Sequence, residues 1–212
     1  MASFLATEGG TLVKEVSAVI VENRSYLSEI DGRIGDGDHG ANMAKGFGRA
    51  ADRIPDDAPL ADALAILSDV LMSEIGGSMG PLYGMMFSDM ADTVRGQERV
   101  DAPGFGAMLR AGLEGVRGVG SAEVGDKTLM DTLVPAVEAY EGALGAGSDF
   151  AAALEAMKTA AEKGRDSTID LVARIGRASR LGERSRGVLD AGATSCCLIL
   201  VALADGAVRR LG

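Results

Sequence analysis

The sequence has 212 residues and a formal net charge of -10, and both properties limit what the protein can be. The length suffices for one sizeable core, so we expect a single domain over residues 1–212. The acidic balance argues against a nucleic-acid partner, because phosphate backbones bind basic surfaces. The N-terminus lacks a secretory-signal pattern, and the longest apolar run, 196–204, is too short to cross a bilayer. We therefore expect a cytoplasmic protein that makes no contact with a membrane.

Apolar residues recur every three or four positions through most of the chain, which predicts an all-α fold. Hydrophobic residues make up 47% of the sequence and aromatic residues only 4%, a composition that suits close helix packing. Breaker and cap residues divide the pattern into eight or nine helices with short loops, which favours an up-and-down bundle. The predicted helices cover residues 11–29, 39–53, 60–75, 81–95, 101–116, 126–144, 148–164, 167–178 and 193–210.

Three aspartates, Asp31, Asp36 and Asp38, stand beside the only histidine, His39, in a glycine-rich stretch. Their spacing does not place three carboxylates on one face of a helix or strand, so we expect them to converge from a folded loop. Clustered carboxylates repel each other unless a cation neutralises them, and oxygen ligands select a hard ion such as Mg²⁺ or Ca²⁺. The stretch predicts a metal site; the alternative is an acidic turn that caps the following helix.

Two other motifs match this stretch in letters only. Residues 35–40 fit G-x-G-x-x-G, but the approach is polar where the dinucleotide fingerprint requires a hydrophobic strand. Residues 36–47 begin like an EF-hand loop, yet Ala41 and Phe47 stand where that loop needs Gly and Glu. We therefore reject both interpretations.

Four glycine-bearing loops, at 35–42, 76–81, 118–128 and 187–195, each lead into a predicted helix. Helix starts bind anions through their free amides and the positive end of the helix dipole. Several starts can meet at one end of a bundle, which indicates a nucleotide site without a P-loop. The alternative for each loop, taken alone, is an ordinary turn, and the alternative for each basic residue is a charge on the surface of the protein. The candidate phosphate donors are Ser78, Lys127, Thr128, Arg177 and Arg184.

Five segments, in family order, resemble the nucleotide-binding L subunit of the dihydroxyacetone kinase family. They are 31–43 (DGRIGDGDHGANM), 76–84 (GGSMGPLYG), 125–131 (GDKTLMD), 176–185 (GRASRLGERS) and 190–195 (DAGATS). The resemblance implies an antiparallel barrel of eight helices that binds ADP or ATP at one end, with Mg²⁺ held by Asp31, Asp36 and Asp38. The nucleotide-lining residues that it implies are His39, Gly40, Ala41, Asn42, Ser78, Met79, Gly120, Leu129, Arg177, Asp190, Ala191 and Gly192.

The resemblance also implies a phosphotransferase of the glycerone kinase type that is active only with a partner. A separate K subunit would hold the ketose, and a phosphotransfer-type M subunit could recharge bound ADP, in a complex that contains the chain as a homo-oligomer. The alternatives are a kinase subunit for a tetrulose-type sugar or a fatty acid, a non-catalytic nucleotide- or metal-binding protein, and a metal-dependent phosphatase. Four residues depart from the family pattern: Met79 for Ser, Arg180 for Tyr, Val188 for His and Ala191 for Pro.

Overall fold

The computed structural model describes residues 2–212, which form nine α-helices and one small antiparallel sheet. The sheet pairs β1 (Ser3–Leu5) with β2 (Arg99–Asp101), a pairing too short to be predicted from period-two alternation. Short 3-10 segments cover Ala6–Glu8, Thr168–Asp170 and Ala178–Ser185. The helices are α1 (Gly9–Glu22), α2 (Arg24–Ile34), α3 (His39–Arg53), α4 (Leu60–Glu74), α5 (Met79–Val94), α6 (Ala102–Val119), α7 (Met130–Gly145), α8 (Phe150–Ser167) and α9 (Ala191–Arg210).

The helices pack as a closed ring of neighbours. The most extensive contacts join α4 to α5, α5 to α6 and α7 to α8, and α9 closes the ring by contacting both α8 and α1. Packed helices that follow each other through short connections run antiparallel. The predicted all-α, up-and-down barrel is therefore confirmed.

Helix α9 belongs to the barrel core. Most of its residues are buried, and its two cysteines, Cys196 and Cys197, are buried free thiols, as expected for reduced core residues. Within residues 2–212, α9 alone is long and apolar enough to cross a membrane, but 67% of its most apolar window is buried inside the protein. An all-round apolar helix is what a core position requires.

Residues 9–34 form two helices where the sequence predicts one over 11–29. Helix α1 ends at Glu22 and is followed by the cap residue Asn23, whose side-chain Nδ2 donates to the Val19 carbonyl at 2.8 Å. Asparagine side chains compete for backbone groups and so interrupt helices. Helix α2 then continues to Ile34, so Asp31 lies in its last turn and not in a loop.

Helix α8 differs from its predicted bounds at both ends. Asp149, and not Ser148, caps it, because the Asp149 Oδ1 accepts from the Ala152 amide at 2.8 Å. The helix also passes Gly164, the predicted terminator, and ends at Ser167. Gly164 serves close packing instead, since a Cβ there would overlap the Asp131 carbonyl of α7.

The predicted helix over 167–178 is wrong. A short 3-10 turn, Thr168–Asp170, is followed by irregular chain over 171–177. The carbonyls of Thr168 and Leu171 accept hydrogen bonds from the Lys127 Nζ at 2.6 and 3.2 Å. This long-range partner satisfies backbone groups that a helix would otherwise have to pair. The other predicted helices agree with the structure to within a few residues at each end.

Candidate functional site

The three aspartates of the predicted metal site come together at one point. The last turn of α2 supplies Asp31, and a tight turn at Gly37, whose φ is 77°, brings Asp36 and Asp38 back towards it. One oxygen from each carboxylate lies within 4.8 Å of the others. Asp31 is half-buried, and the other two are exposed. The donor set fits Mg²⁺, which takes a few carboxylates and completes its shell with water and phosphate oxygens.

His39 joins this acidic cluster to the barrel core. It is the first residue of α3 and is buried, and its backbone N–H donates to the Asp31 Oδ2 at 3.3 Å. Its ring Nε2 lies 3.0 Å from the hydroxyl of Ser195 on α9. Burial lowers the pKa of His39 to about 4, although the nearby Asp31 carboxylate acts to raise it. The ring is therefore neutral at pH 7 and cannot supply a positive charge to a phosphate.

A cavity of about 570 Å³ opens beside the acidic cluster. Asp31 and His39 form one side of it, and the starts of α5, α7 and α9, together with the end of α6, form the rest. The predicted helix starts therefore do converge at one end of the barrel. Of the residues expected to line a nucleotide, the cavity wall includes His39, Ser78, Met79, Gly120, Leu129, Arg177, Asp190, Ala191 and Gly192.

The first turn of α3 contributes less to the cavity than expected. Gly40, Ala41 and Asn42 are not among the residues that line it, so their contact with a nucleotide stays a prediction. Gly40 has a clear packing role, because a Cβ there would overlap the Arg24 carbonyl and crowd Ser28 of α2. This close approach holds the start of α3 against the helix that carries Asp31.

Arg177 connects the cavity to the acidic cluster. It precedes the 3-10 segment Ala178–Ser185, lines the cavity and forms an ion pair with the carboxylate of Asp36. Ser78 lies at the start of α5, where its side chain makes no cap hydrogen bond, so its hydroxyl can face a ligand. Arg184, another candidate donor, is exposed and does not line the cavity.

Lys127 stabilises the cavity wall, and its ammonium group is not free to bind a phosphate. Its backbone has a φ of 63°, and the residue is 2% exposed. Its Nζ donates to the carbonyls of Thr168, Leu171 and Val188 at 2.6, 3.2 and 2.6 Å. Burial lowers the pKa of Lys127, while nearby carboxylates, Asp190 first among them, act to raise it. The ammonium therefore holds the chain over 168–188 in place.

Asp131 and Lys127 together form an internal framework, in which two buried charged side chains bind backbone groups of the neighbouring loops. The sequence did not predict this role for Asp131. Its Oδ1 accepts from the Gly125 amide at 2.6 Å and its Oδ2 from the Thr128 amide at 2.7 Å. These bonds hold 125–128 as a loop, so α7 begins at Met130 and not at residue 126 as predicted. The signal was present in Thr128-Leu129-Met130-Asp131, which fits the [ST]-x-x-[DE] pattern of a helix N-terminus.

Asp190 caps α9 at the cavity wall. Its Oδ2 accepts from the Ala193 amide at 2.7 Å, and its own amide donates to the Thr168 hydroxyl at 3.0 Å. Burial raises the pKa of Asp190 to about 7, although the Ala193 amide and the Lys127 ammonium favour the charged form. The start of α9 is thereby fixed in position with its remaining amides directed to the cavity end.

Comparison with known proteins agrees with this geometry. The sequence pattern of the DAK2 domain matches residues 33–205. The chain belongs to the DAK2 domain family. The matched DAK2 segment includes Asp36, Asp38, helices α3 to α8 and most of α9, and it begins just after Asp31.

Several relatives of this DAK2 domain are subunits of about its own length. It is 39% identical over 181 residues to the PEP-dependent dihydroxyacetone kinase, ADP-binding subunit DhaL of Escherichia coli strain K12, covering 84% of this chain and 86% of that one. It is 35% identical over 195 residues to a second such subunit, from Listeria innocua, covering 90% of each chain.

Other relatives carry the DAK2 domain inside a longer protein. The chain is 32% identical to the L-erythrulose kinase of Pectobacterium atrosepticum, covering 87% of this chain and 32% of that protein. The crystal structure of the dihydroxyacetone kinase of C. freundii has a TM-score of 0.69 and 25% identity, covering 93% of this chain and 34% of that one. The chain therefore spans about a third of these longer proteins.

Proposed function

We propose that this chain binds ADP or ATP together with Mg²⁺ and is the nucleotide-binding subunit of a dihydroxyacetone-type kinase. The observation that carries the proposal is the convergence of Asp31, Asp36 and Asp38 at the edge of a cavity formed by helix starts. The ADP-binding subunits to which the chain is similar support the choice of nucleotide.

Each part of the site has a distinct task in this proposal. Asp31, Asp36 and Asp38 would hold Mg²⁺, which supplies positive charge to the phosphates when it is bound. The starts of α5 and α9 direct backbone amides at the phosphates, and Arg177 and the Ser78 hydroxyl add donors. Phosphoryl transfer asks mainly for positioning and charge neutralisation, which this set of groups provides.

The remaining cavity wall suits the apolar base of a nucleotide. Met79, Leu82, Val116 and Leu129 are apolar residues of the cavity wall. A site with a mainly apolar wall and a few converging polar groups is typical of small-molecule binding. The substitution of Met79 for the usual Ser places a longer apolar side chain at this wall.

The acceptor sugar would be held by a partner, as the K subunit does in this family. The single histidine, His39, is buried and hydrogen-bonded, so it is not available to form a covalent bond with a ketose. Two of the residues that line the cavity, Val119 and Ile175, are exposed and apolar, and a docked protein would cover them. We therefore propose a cytoplasmic complex with a K-type subunit, with an M-type subunit as a donor that recharges ADP and with more than one copy of this chain.

A second candidate substrate is a four-carbon ketose. The chain is also 32% identical to an L-erythrulose kinase over 189 residues. In addition, Arg180, Val188 and Ala191 differ from the residues usual in the dihydroxyacetone kinase family. Transfer assays with a K-type partner on dihydroxyacetone and erythrulose distinguish the two substrates. Rapid ATP hydrolysis by the chain alone would instead favour the metal-dependent phosphatase.

The metal and nucleotide assignment is tested by measuring ADP affinity calorimetrically, with Mg²⁺ and with a chelator. We expect Asp36→Asn to weaken Mg²⁺-dependent ADP binding by more than about 100-fold, because replacing even an outer-shell partner of a metal ligand costs about 10- to 100-fold. The matched control is Asp57→Asn, which neutralises an exposed aspartate in the connection from α3 to α4, beyond the end of α3 that is opposite to His39, and it should bind as the wild type does. Equal affinity in both variants would contradict the proposed site.

A further inference from the structure

A buried chain of hydroxyl groups lies directly behind the candidate metal site. The Tyr83 hydroxyl of α5 is 2.7 Å from the Ser195 Oγ of α9, and the Ser195 Oγ is 3.0 Å from the His39 Nε2 of α3. The His39 backbone N–H then donates to the Asp31 carboxylate. Hydrogen bonds thus connect α5 and α9 to the His39 ring, and the backbone of the same residue to Asp31.

The same hydroxyls also hold the cavity wall. The Tyr83 and Ser195 hydroxyls lie 3.2 and 3.1 Å from the Gly192 carbonyl. This carbonyl accepts from one of them, because each hydroxyl has one proton and one of the two donates to the other. Gly192 lies in the first turn of α9 and lines the cavity. The network therefore fixes two parts of the site relative to each other, the acidic cluster and the phosphate-facing start of α9.

Packing alone does not account for these polar groups. Tyr83 and Ser195 are both 0% exposed, and the Tyr83 ring stacks on Phe87 with centroids 6.4 Å apart. A phenylalanine at position 83 would keep this stacking and would not need a partner for a buried hydroxyl. Burying the two hydroxyls costs desolvation, and beyond each other they contact His39 and Gly192, which both line the cavity.

We infer that Tyr83 and Ser195 are positioning residues of the metal and nucleotide site, acting through His39 on Asp31 and through Gly192 on α9. The inference rests on the proposed function, because it assumes that Asp31 holds Mg²⁺ with a bound nucleotide. Groups that orient metal ligands from behind are known to change metal affinity about 10- to 100-fold when they are replaced.

Tyr140 provides a matched control within the same protein. It is also fully buried, but its hydroxyl donates to the Ala102 carbonyl at 2.8 Å, and neither residue lines the cavity. Tyr83→Phe and Tyr140→Phe each remove one buried hydroxyl and leave the ring. Both are therefore expected to lower the thermal midpoint, and only the first should affect the site.

The decisive quantity is the ratio of ADP affinity with Mg²⁺ to ADP affinity with a chelator, measured by calorimetry on folded protein. We expect Tyr83→Phe and Ser195→Ala each to reduce this ratio about tenfold, and Tyr140→Phe to leave it at the wild-type value. In an Asp36→Asn background, Tyr83→Phe should cause no further fall, because the metal site through which it acts is already lost.

The outcomes separate this inference from the proposed function. If the wild type shows a Mg²⁺-dependent affinity and Tyr83→Phe keeps the same ratio, or if Tyr140→Phe reduces the ratio as much, the positioning role is refuted and the proposed function stands. If the wild type binds ADP equally with and without Mg²⁺, both are refuted.

Discussion

Two loops at the same end of the barrel use charge in opposite ways. The acidic loop after α2 leaves Asp36 and Asp38 exposed, with carboxylates close enough to repel each other. Lys127 in the loop before α7 and Asp131 in the first turn of α7 are buried, and backbone groups satisfy both side chains. Removing an exposed charge costs the fold little, whereas removing one partner of a buried charge costs several kcal/mol. The first loop therefore suits a ligand, and the second supports the fold.

The largest effect should follow from removing the buried ammonium. Lys127→Met leaves the carbonyls of Thr168, Leu171 and Val188 without their donor, so we expect the free energy of unfolding to fall by about 4 kcal/mol. The control is Lys45→Met, whose exposed Nζ donates only to the Glu74 carbonyl and which should change stability by less than about 0.5 kcal/mol. Denaturant unfolding measures both, and similar values would contradict the structural role of Lys127.

The buried histidine should make stability depend on pH in protein kept free of metal by a chelator. The pKa of His39 is about 4 in the folded protein against 6.5 unfolded, so the unfolded chain takes up the proton first as the pH falls. This contribution to stability is complete above about pH 7 and is lost between pH 6.5 and 4, for a total of about 3 kcal/mol.

Asp190 acts in the opposite direction within the same pH range. Its pKa is raised to about 7, so the folded state binds that proton more readily than the unfolded state, and stability gains as the pH falls. The contribution of His39 is therefore the difference between the pH profiles of the wild type and His39→Gln. Parallel profiles from pH 7 to 4 would show that the ring is not buried as described.

The start of α3 offers a test of packing against ligand binding. Gly40→Ala places a methyl group against the Arg24 carbonyl, so we expect a loss of about 2 kcal/mol in metal-free protein. Gly142→Ala, at a helical position with no atom nearby, should be neutral or slightly stabilising. Thermal unfolding distinguishes the two, and an unaffected Gly40→Ala protein would leave nucleotide contact as the only role for this glycine.

The smallest effect should come from the acidic loop itself. In metal-free protein Asp36→Asn removes an exposed ion pair with Arg177 and also relieves repulsion from Asp31 and Asp38. The net change in the free energy of unfolding should be below about 0.5 kcal/mol. A loss of several kcal/mol in a denaturant titration would mean that the acidic loop supports the fold. The acidic loop and the loop of Lys127 would then not differ in function as described.

The acidic loop was predictable because its carboxylates and glycines lie close together in the sequence. Three aspartates and four glycines within a short stretch leave few structural explanations, and helical periodicity elsewhere indicates an all-α bundle. The position of Asp31 in α2 and the break at Asn23 were missed, because they depend on which of two local hydrogen-bonding choices the chain adopts.

The internal framework was not predictable in the same way. The sequence favours Lys127 as a donor to phosphate and a helix over 167–178, and both predictions are wrong. The burial of Lys127 and its three carbonyl partners cannot be recognised from the residues next to it in sequence. Tyr83 and Ser195 read as ordinary helix residues for the same reason. The two residues are 112 positions apart in the chain, and only the folded barrel brings their hydroxyls together.

The most direct test of the central claim is the thermal midpoint of nucleotide-free protein with ADP, with Mg²⁺ and with both. At an ADP concentration 100 times its dissociation constant, a ligand bound only by the folded state stabilises it by about 2.7 kcal/mol. A metal-bridged nucleotide site predicts a rise in the midpoint that requires both components. An equal rise with ADP in a chelator, or no rise with both together, would contradict it.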